Sequence, residues 1–65
     1  MRISVNGQTH DAAAATLAEL LAELGYEDQT VATALNQNFV RGADRAATPL
    51  SDGDAVEIVS PRQGG

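Results

Sequence analysis

The chain has no cysteine and no lysine, and among its 65 residues only one histidine, one phenylalanine and one tyrosine. Without cysteine there is no disulfide, no thiol nucleophile and no thiolate ligand for zinc, and a lone His10 rules out a multi-histidine metal site. Without lysine, no side chain can accept an isopeptide bond. With so few aromatics, most of the core falls to leucine, isoleucine and valine. No run is long and apolar enough to span a membrane, and the N-terminus leads into a polar, strand-like segment instead of a signal peptide. Basic groups are scarce as well: Arg2, Arg41, Arg45 and Arg62 stand against nine carboxylates, for a net charge of −5. No basic patch can form from these four, so nucleic acid and anionic membranes are set aside as partners. One histidine and no clustered carboxylate pair leave little from which to build a catalytic site. The expectation is a single soluble, cytoplasmic, monomeric domain that is not an enzyme and binds neither metal nor cofactor.

What is present is well patterned. Arg2-Ile3-Ser4-Val5 alternates polar and apolar, the period of a half-buried strand. Asn6-Gly7 then supplies the residues a type I′ turn needs at positive φ, and Gln8 to Asp11 returns as a second strand carrying His10. Leu17, Leu20, Leu21 and Leu24 fall at i, i+3, i+4 and i+7 on one helical face, with Glu19 and Glu23 projecting on the other side. Thr16 followed by Glu19 fits a capping box and is the favoured helix start. Asp11 capping a longer helix through Ala12 to Ala15 is the alternative. Gly25 is placed to end the helix in the left-handed conformation.

Beyond a polar loop, "VATALN" reads as a strand, Asn36-Gln37-Asn38 as a turn, and Phe39-Val40 as a short returning strand. Arg41 to Pro49 lacks periodicity and suggests a loop with one helical turn. Ser51-Asp52-Gly53-Asp54 is a tight turn. Ala55 to Val59 alternates again, with Val56 and Ile58 toward the core, and Pro61 marks that strand's end. A hairpin, one helix and three further strands make a two-layer α+β domain. A right-handed crossover from the hairpin lets the last strand lie parallel beside the first. That arrangement is the β-grasp, a mixed β-sheet packed on one main α-helix, expected over residues 1–60 with a flexible Gly-Gly tail over 61–65.

The chain resembles the sulfur carrier proteins of thiamine biosynthesis, a ubiquitin-like family related to the small molybdopterin synthase subunits. The resemblance rests on the opening strand with Asn6-Gly7, "TLAELL" (Thr16 to Leu21), "VATALNQNFV" (Val31 to Val40), "LSDGDAVEIV" (Leu50 to Val59) and the terminal Gly64-Gly65. It implies that the Gly65 carboxylate is activated by ATP on a ThiF-like adenylyltransferase. Sulfur then arrives from a donor such as a cysteine desulfurase, and the resulting thiocarboxylate serves a ThiG-like thiazole synthase. The chemistry of the tail agrees. A carboxylate is a poor electrophile, and adenylation divides one difficult substitution into two easier ones. Six extended residues, Ser60 to Gly65, reach roughly 20 Å, enough to enter a buried active site. Gly64 and Gly65 let a narrow channel close around the backbone, and Pro61 stiffens the root of the tail. Arg62 is placed to pair with an acidic groove, and Gln63 completes the threading segment.

A carrier also needs a docking face. If Val31, Thr33 and Leu35 face the helix, then Ala32 and Ala34 lie on the open side of the sheet. Glu57 and Val59 join them, with Phe39 at the rim. Other sulfur carriers of this fold, a molybdopterin synthase-type subunit among them, a ubiquitin-like protein modifier acting through Gly65, and a plain interaction module are the competing readings.

Overall fold

The computed structural model describes residues 1–60. Its elements are β1 Arg2–Val5, β2 Gln8–Asp11, α1 Leu17–Glu23, β3 Ala32–Leu35, β4 Asn38–Val40, a 3₁₀ helix Gly42–Ala47, and β5 Ala55–Val59. The strands form one sheet in the order β2-β1-β5-β3-β4. β1 and β5 run parallel, and the other neighbouring pairs are antiparallel. This is the β-grasp: a hairpin at each edge, the last strand in the centre, and one helix against one face. The parallel pair expected from the crossover rule is there, in the register Ser4↔Ala55 and Val5↔Val56.

The core lies between α1 and the sheet. Leu17 and Leu20 are completely buried, and Leu21, Ile3, Val31, Leu50, Val56 and Ile58 are the other large members of an apolar cluster that also takes in Ala12 and Ala14. Each such aliphatic side chain contributes about 1.5–3 kcal/mol before entropy is subtracted. Leu24, Tyr26 and Val40 pack against its margin, half-buried.

The helix starts at Thr16, whose Oγ1 accepts the Glu19 N–H at 3.2 Å. The reciprocal half of the capping box differs from expectation. The Glu19 carboxylate accepts from the Ala15 N–H at 2.8 Å rather than from Thr16. Residues 15–17 pair with the 48–50 segment, Leu17 N–H donating to Thr48 and Leu50 N–H to Ala15. That pairing fixes the entry backbone and presents Ala15 to the carboxylate. The alanine run is therefore a connector, and its burial alternates: Ala12 and Ala14 are buried while Ala13 and Ala15 are exposed. At the other end Gly25 adopts φ +86°. Tyr26 N–H donates to Leu21 O and Gly25 N–H to Ala22 O, the paired bonds of a Schellman ending.

Glu23 departs from the solvent-facing role expected of it. Its carboxylate folds back to accept His10 Nε2–H at 2.7 Å, Ala14 N–H at 2.9 Å and Ala13 N–H at 3.1 Å. The His10 hydrogen bond holds the Glu23 carboxyl below the usual glutamate range. Partial burial opposes that shift, and the two backbone N–H groups add to it. The last residue of α1 thus ties the helix to β2 and to the connector.

The segment from Arg41 to Pro49 is more ordered than its composition suggests. Its 3₁₀ helix aims Arg45 back at β3, donating to Val31 O and at 3.0 Å to Thr33 Oγ1. Thr33 is the buried polar residue of the core, at 2% exposure, and its hydroxyl donates in turn to Val40 O. Among the described residues no buried side-chain nitrogen or oxygen lacks a partner. Among them also, no helix is long and apolar enough to cross a membrane.

Candidate functional site

The alternation of β3 and β5 decides which side chains reach the open face of the sheet, opposite α1. Val56 and Ile58 point into the core at 1% and 5% exposure, so Glu57 and Val59 point out. Thr33 and Val31 are buried, so Ala32 and Ala34 share the outer side. The register aligns them: Ala32 faces Val59, and Ala34 lies between Glu57 on β5 and Phe39 on β4. All five residues expected to form the docking face are thus brought together across three strands. Phe39 is 70% exposed and Val59 60%, the most exposed large apolar side chains among the described residues. Phe39 stands at the rim as expected, on the edge strand β4, where it continues the Ala34–Glu57 row. Pro61, Arg62, Gln63, Gly64 and Gly65 lie outside the described residues.

The strand that leads to those residues is gripped at both ends by asparagine. Asn6, the first turn residue after β1, has φ +51°. Its backbone N–H donates to Val56 O at 2.9 Å. Its side-chain Nδ2 donates to Ile58 O at 3.1 Å, and its Oδ1 accepts the Ile58 N–H at 2.8 Å. Asn36, the first turn residue after β3, has φ +50° and holds the opposite end of β5, its Nδ2 donating to Asp54 Oδ1 at 3.1 Å. Its backbone N–H donates to Ala55 O at 2.7 Å, and its Oδ1 accepts the Ala55 N–H at 2.9 Å. The start of β5 is fixed further by the Ser51–Asp54 turn. Gly53, at φ +91°, donates to Arg2 O at 2.7 Å, and Asp52 Oδ1 accepts the Arg2 N–H at 2.7 Å. The Asn-containing turns were visible in the sequence, but their hold on β5 was not. Its only signal is that both hairpins place asparagine at the first turn position.

An open cleft of about 420 Å³ lies between the β1–β2 hairpin and the end of α1, with His10 and Tyr26 in its wall. The His10 Nε2 there is already engaged by Glu23. No group of three or more metal-ligating side chains comes together among the described residues. The features that stand out are an exposed apolar sheet face and a central strand held firmly up to Ile58.

The comparisons with known proteins converge. The ThiS family model matches residues 3–65. A sulfur carrier protein ThiS from Thermus thermophilus is 41% identical over 61 residues, covering 94% of this chain and 95% of the relative. Among solved structures, a crystal structure of the thiamine biosynthesis protein ThiS from Geobacter metallireducens superposes with a TM-score of 0.80 at 31% identity, over the whole of both chains. A solution structure of a thiamine biosynthesis protein from the same organism gives a TM-score of 0.79 at 35% identity, covering all of this chain and 88% of that one.

Proposed function

The chain belongs to the ThiS family, and from that premise we propose that it is a sulfur carrier of thiamine biosynthesis whose cargo rides on the Gly65 carboxylate. The observation that carries the reading is that the family match continues through residue 65 and so takes in Gly64 and Gly65. The protein is then a substrate and not a catalyst. A carboxylate oxygen of Gly65 attacks the α-phosphorus of ATP on a ThiF-like adenylyltransferase, pyrophosphate leaves, and an acyl-adenylate remains. The outer sulfur of a persulfide, supplied by a donor such as a cysteine desulfurase, adds to the acyl carbon, and AMP leaves with the electron pair of the broken C–O bond. A second thiol then attacks the inner sulfur, leaves joined to the donor as a disulfide, and frees the thiocarboxylate with the electron pair of the broken S–S bond. A ThiG-like thiazole synthase consumes that thiocarboxylate. ATP is used by the activating enzyme, and these steps belong in the cytoplasm with the carrier as a monomer.

In this reading residues 1–60 are the handle and 61–65 the arm. Pro61, Arg62, Gln63 and Gly64 thread the partner's channel, while Ala32, Ala34, Phe39, Glu57 and Val59 dock against its surface. Intact-mass spectrometry after incubation with ATP, a ThiF-like adenylyltransferase and a sulfur donor tests the chemistry. The expected result is a sulfur-for-oxygen gain at Gly65, and no gain with a competent activator would sink the reading. Phe39→Ala and Val59→Asp are expected to keep the fold and weaken activator binding by about tenfold each, the scale of one interfacial anchor. Unchanged affinity in both folded variants would remove this face from the model of docking.

A further inference from the structure

We infer that Asn6 is a positioning residue for the cargo-bearing terminus, an inference that rests on the carrier reading above. The β1–β5 ladder stops at Val5↔Val56, because the chain turns away at Asn6 and Gly7. β5 nevertheless continues to Val59, and Pro61 follows Ile58 by three positions. Beyond Val56, β5 keeps a strand neighbour on one side only, where Thr33 and Ala32 of β3 face Ile58 and Val59. On the other side the N–H and C=O of Ile58 would be left at an open edge.

The Asn6 carboxamide takes both of them, accepting from the nitrogen and donating to the oxygen. In doing so it stands in for one more residue of β1. A carboxamide is the side-chain group that can present one acceptor and one donor side by side, as a peptide unit does. Its positive φ is what turns the side chain onto β5 while the backbone leaves, and asparagine tolerates that conformation. The last core residue of β5 is therefore clamped on both sides just before the segment that must enter a partner's channel. A strand end already ordered in the free carrier loses less conformational freedom when its extension docks.

Asn36 is the internal control. It holds the N-terminal end of β5 at Ala55 through its backbone N–H and Oδ1, while its Nδ2 donates to Asp54 Oδ1. Asn6→Gly and Asn36→Gly each keep an easy positive φ and each remove one carboxamide from β5. The assay is ATP–pyrophosphate exchange by a ThiF-like adenylyltransferase, with the full-length carrier as the varied substrate. Asn6→Gly is expected to raise KM by about tenfold, with kcat within about twofold of wild type. Asn36→Gly is expected to leave both within about twofold, even though it loses comparable thermal stability. Amide exchange at Ile58 should quicken in Asn6→Gly alone. Asn6→Asp keeps the acceptor and loses the donor, so its KM should fall between the two; it also serves if the glycine variant does not fold.

Equal KM changes in the Asn6 and Asn36 variants, or no KM change in a folded Asn6 variant, would overturn the positioning role and leave the carrier reading standing. No exchange with the wild-type chain would instead overturn the carrier reading and this inference with it.

Discussion

The β1–β2 hairpin turns on Asn6 and Gly7 and the β3–β4 hairpin on Asn36 and Gln37, with all four residues at positive φ. Each hairpin forms one edge of the sheet, and each is fastened to the rest of the molecule by a charged side chain arriving from a later element. At the first edge the fastener is the Glu23 carboxylate, received by His10 and the connector backbone. At the second it is the Arg45 guanidinium, spent on Val31 O and Thr33 Oγ1. A carboxylate loses its charge when protonated, and with it the strength of its charge-assisted hydrogen bonds, whereas a guanidinium stays a charged donor at any accessible pH. Two edges of similar architecture thus differ in whether acid weakens their fastening. A sheet can keep one edge permanently tied while the other responds to acid.

Removing the permanent tie should have the largest effect. Arg45→Ala leaves Val31 O without its donor and is expected to cost about 1–3 kcal/mol in urea or thermal unfolding. That loss should be nearly the same at acidic and neutral pH. Glu23→Gln should cost less, and its cost should depend on pH. The folded pKa of Glu23 lies below its unfolded value, so the unfolded chain binds the proton more readily as the solution is acidified. The stabilisation by Glu23 is therefore whole above the ordinary glutamate range and is lost as pH falls through the depressed folded value. Plotted against pH, the stability gap between wild type and Glu23→Gln should close on acidification while the gap for Arg45→Ala stays open. Parallel gaps would erase the contrast between the two edges. The smallest effect concerns the turns themselves. Gln37 holds φ +72° with a side chain, where Gly7 holds φ +84° without one. Gln37→Gly should stabilise the protein by about 0.5–1 kcal/mol, and Gly7→Gln should cost a similar amount, both read from unfolding midpoints.

Features governed by neighbours in sequence were legible before any coordinates. The Asn6-Gly7 turn, the Thr16 N-cap, the Gly25 ending and the alternation of β5 each depend on residues within a turn or two, and all four are found, the cap without its reciprocal Glu19 bond. From that alternation the outward set of Ala32, Ala34, Glu57 and Val59 followed as well. What was not legible depends on distant partners. Glu23 looks like a solvent-facing residue of an amphipathic helix until β2 places His10 within 2.7 Å of it. Arg45 sits in a stretch with no periodicity, and its role appears only where the 3₁₀ helix meets β3. The grip of Asn6 on Ile58 spans 52 positions, so no local pattern announces it.

The placement of β5 also bears on how the protein comes into being. The last strand in sequence is the middle strand in space, and its partner Ser4 lies 51 positions before Ala55. Closing so long a loop is the entropically expensive step of folding, and chains dominated by such contacts fold more slowly than locally wired ones. During synthesis, β1–β2 and β3–β4 emerge first as two hairpins with a gap between them, and neither is stable alone in water. The sheet becomes one object only when the ribosome has released residues through Val59. A partner that recognises rows running across β3, β4 and β5 therefore selects chains translated at least that far and folded through the centre.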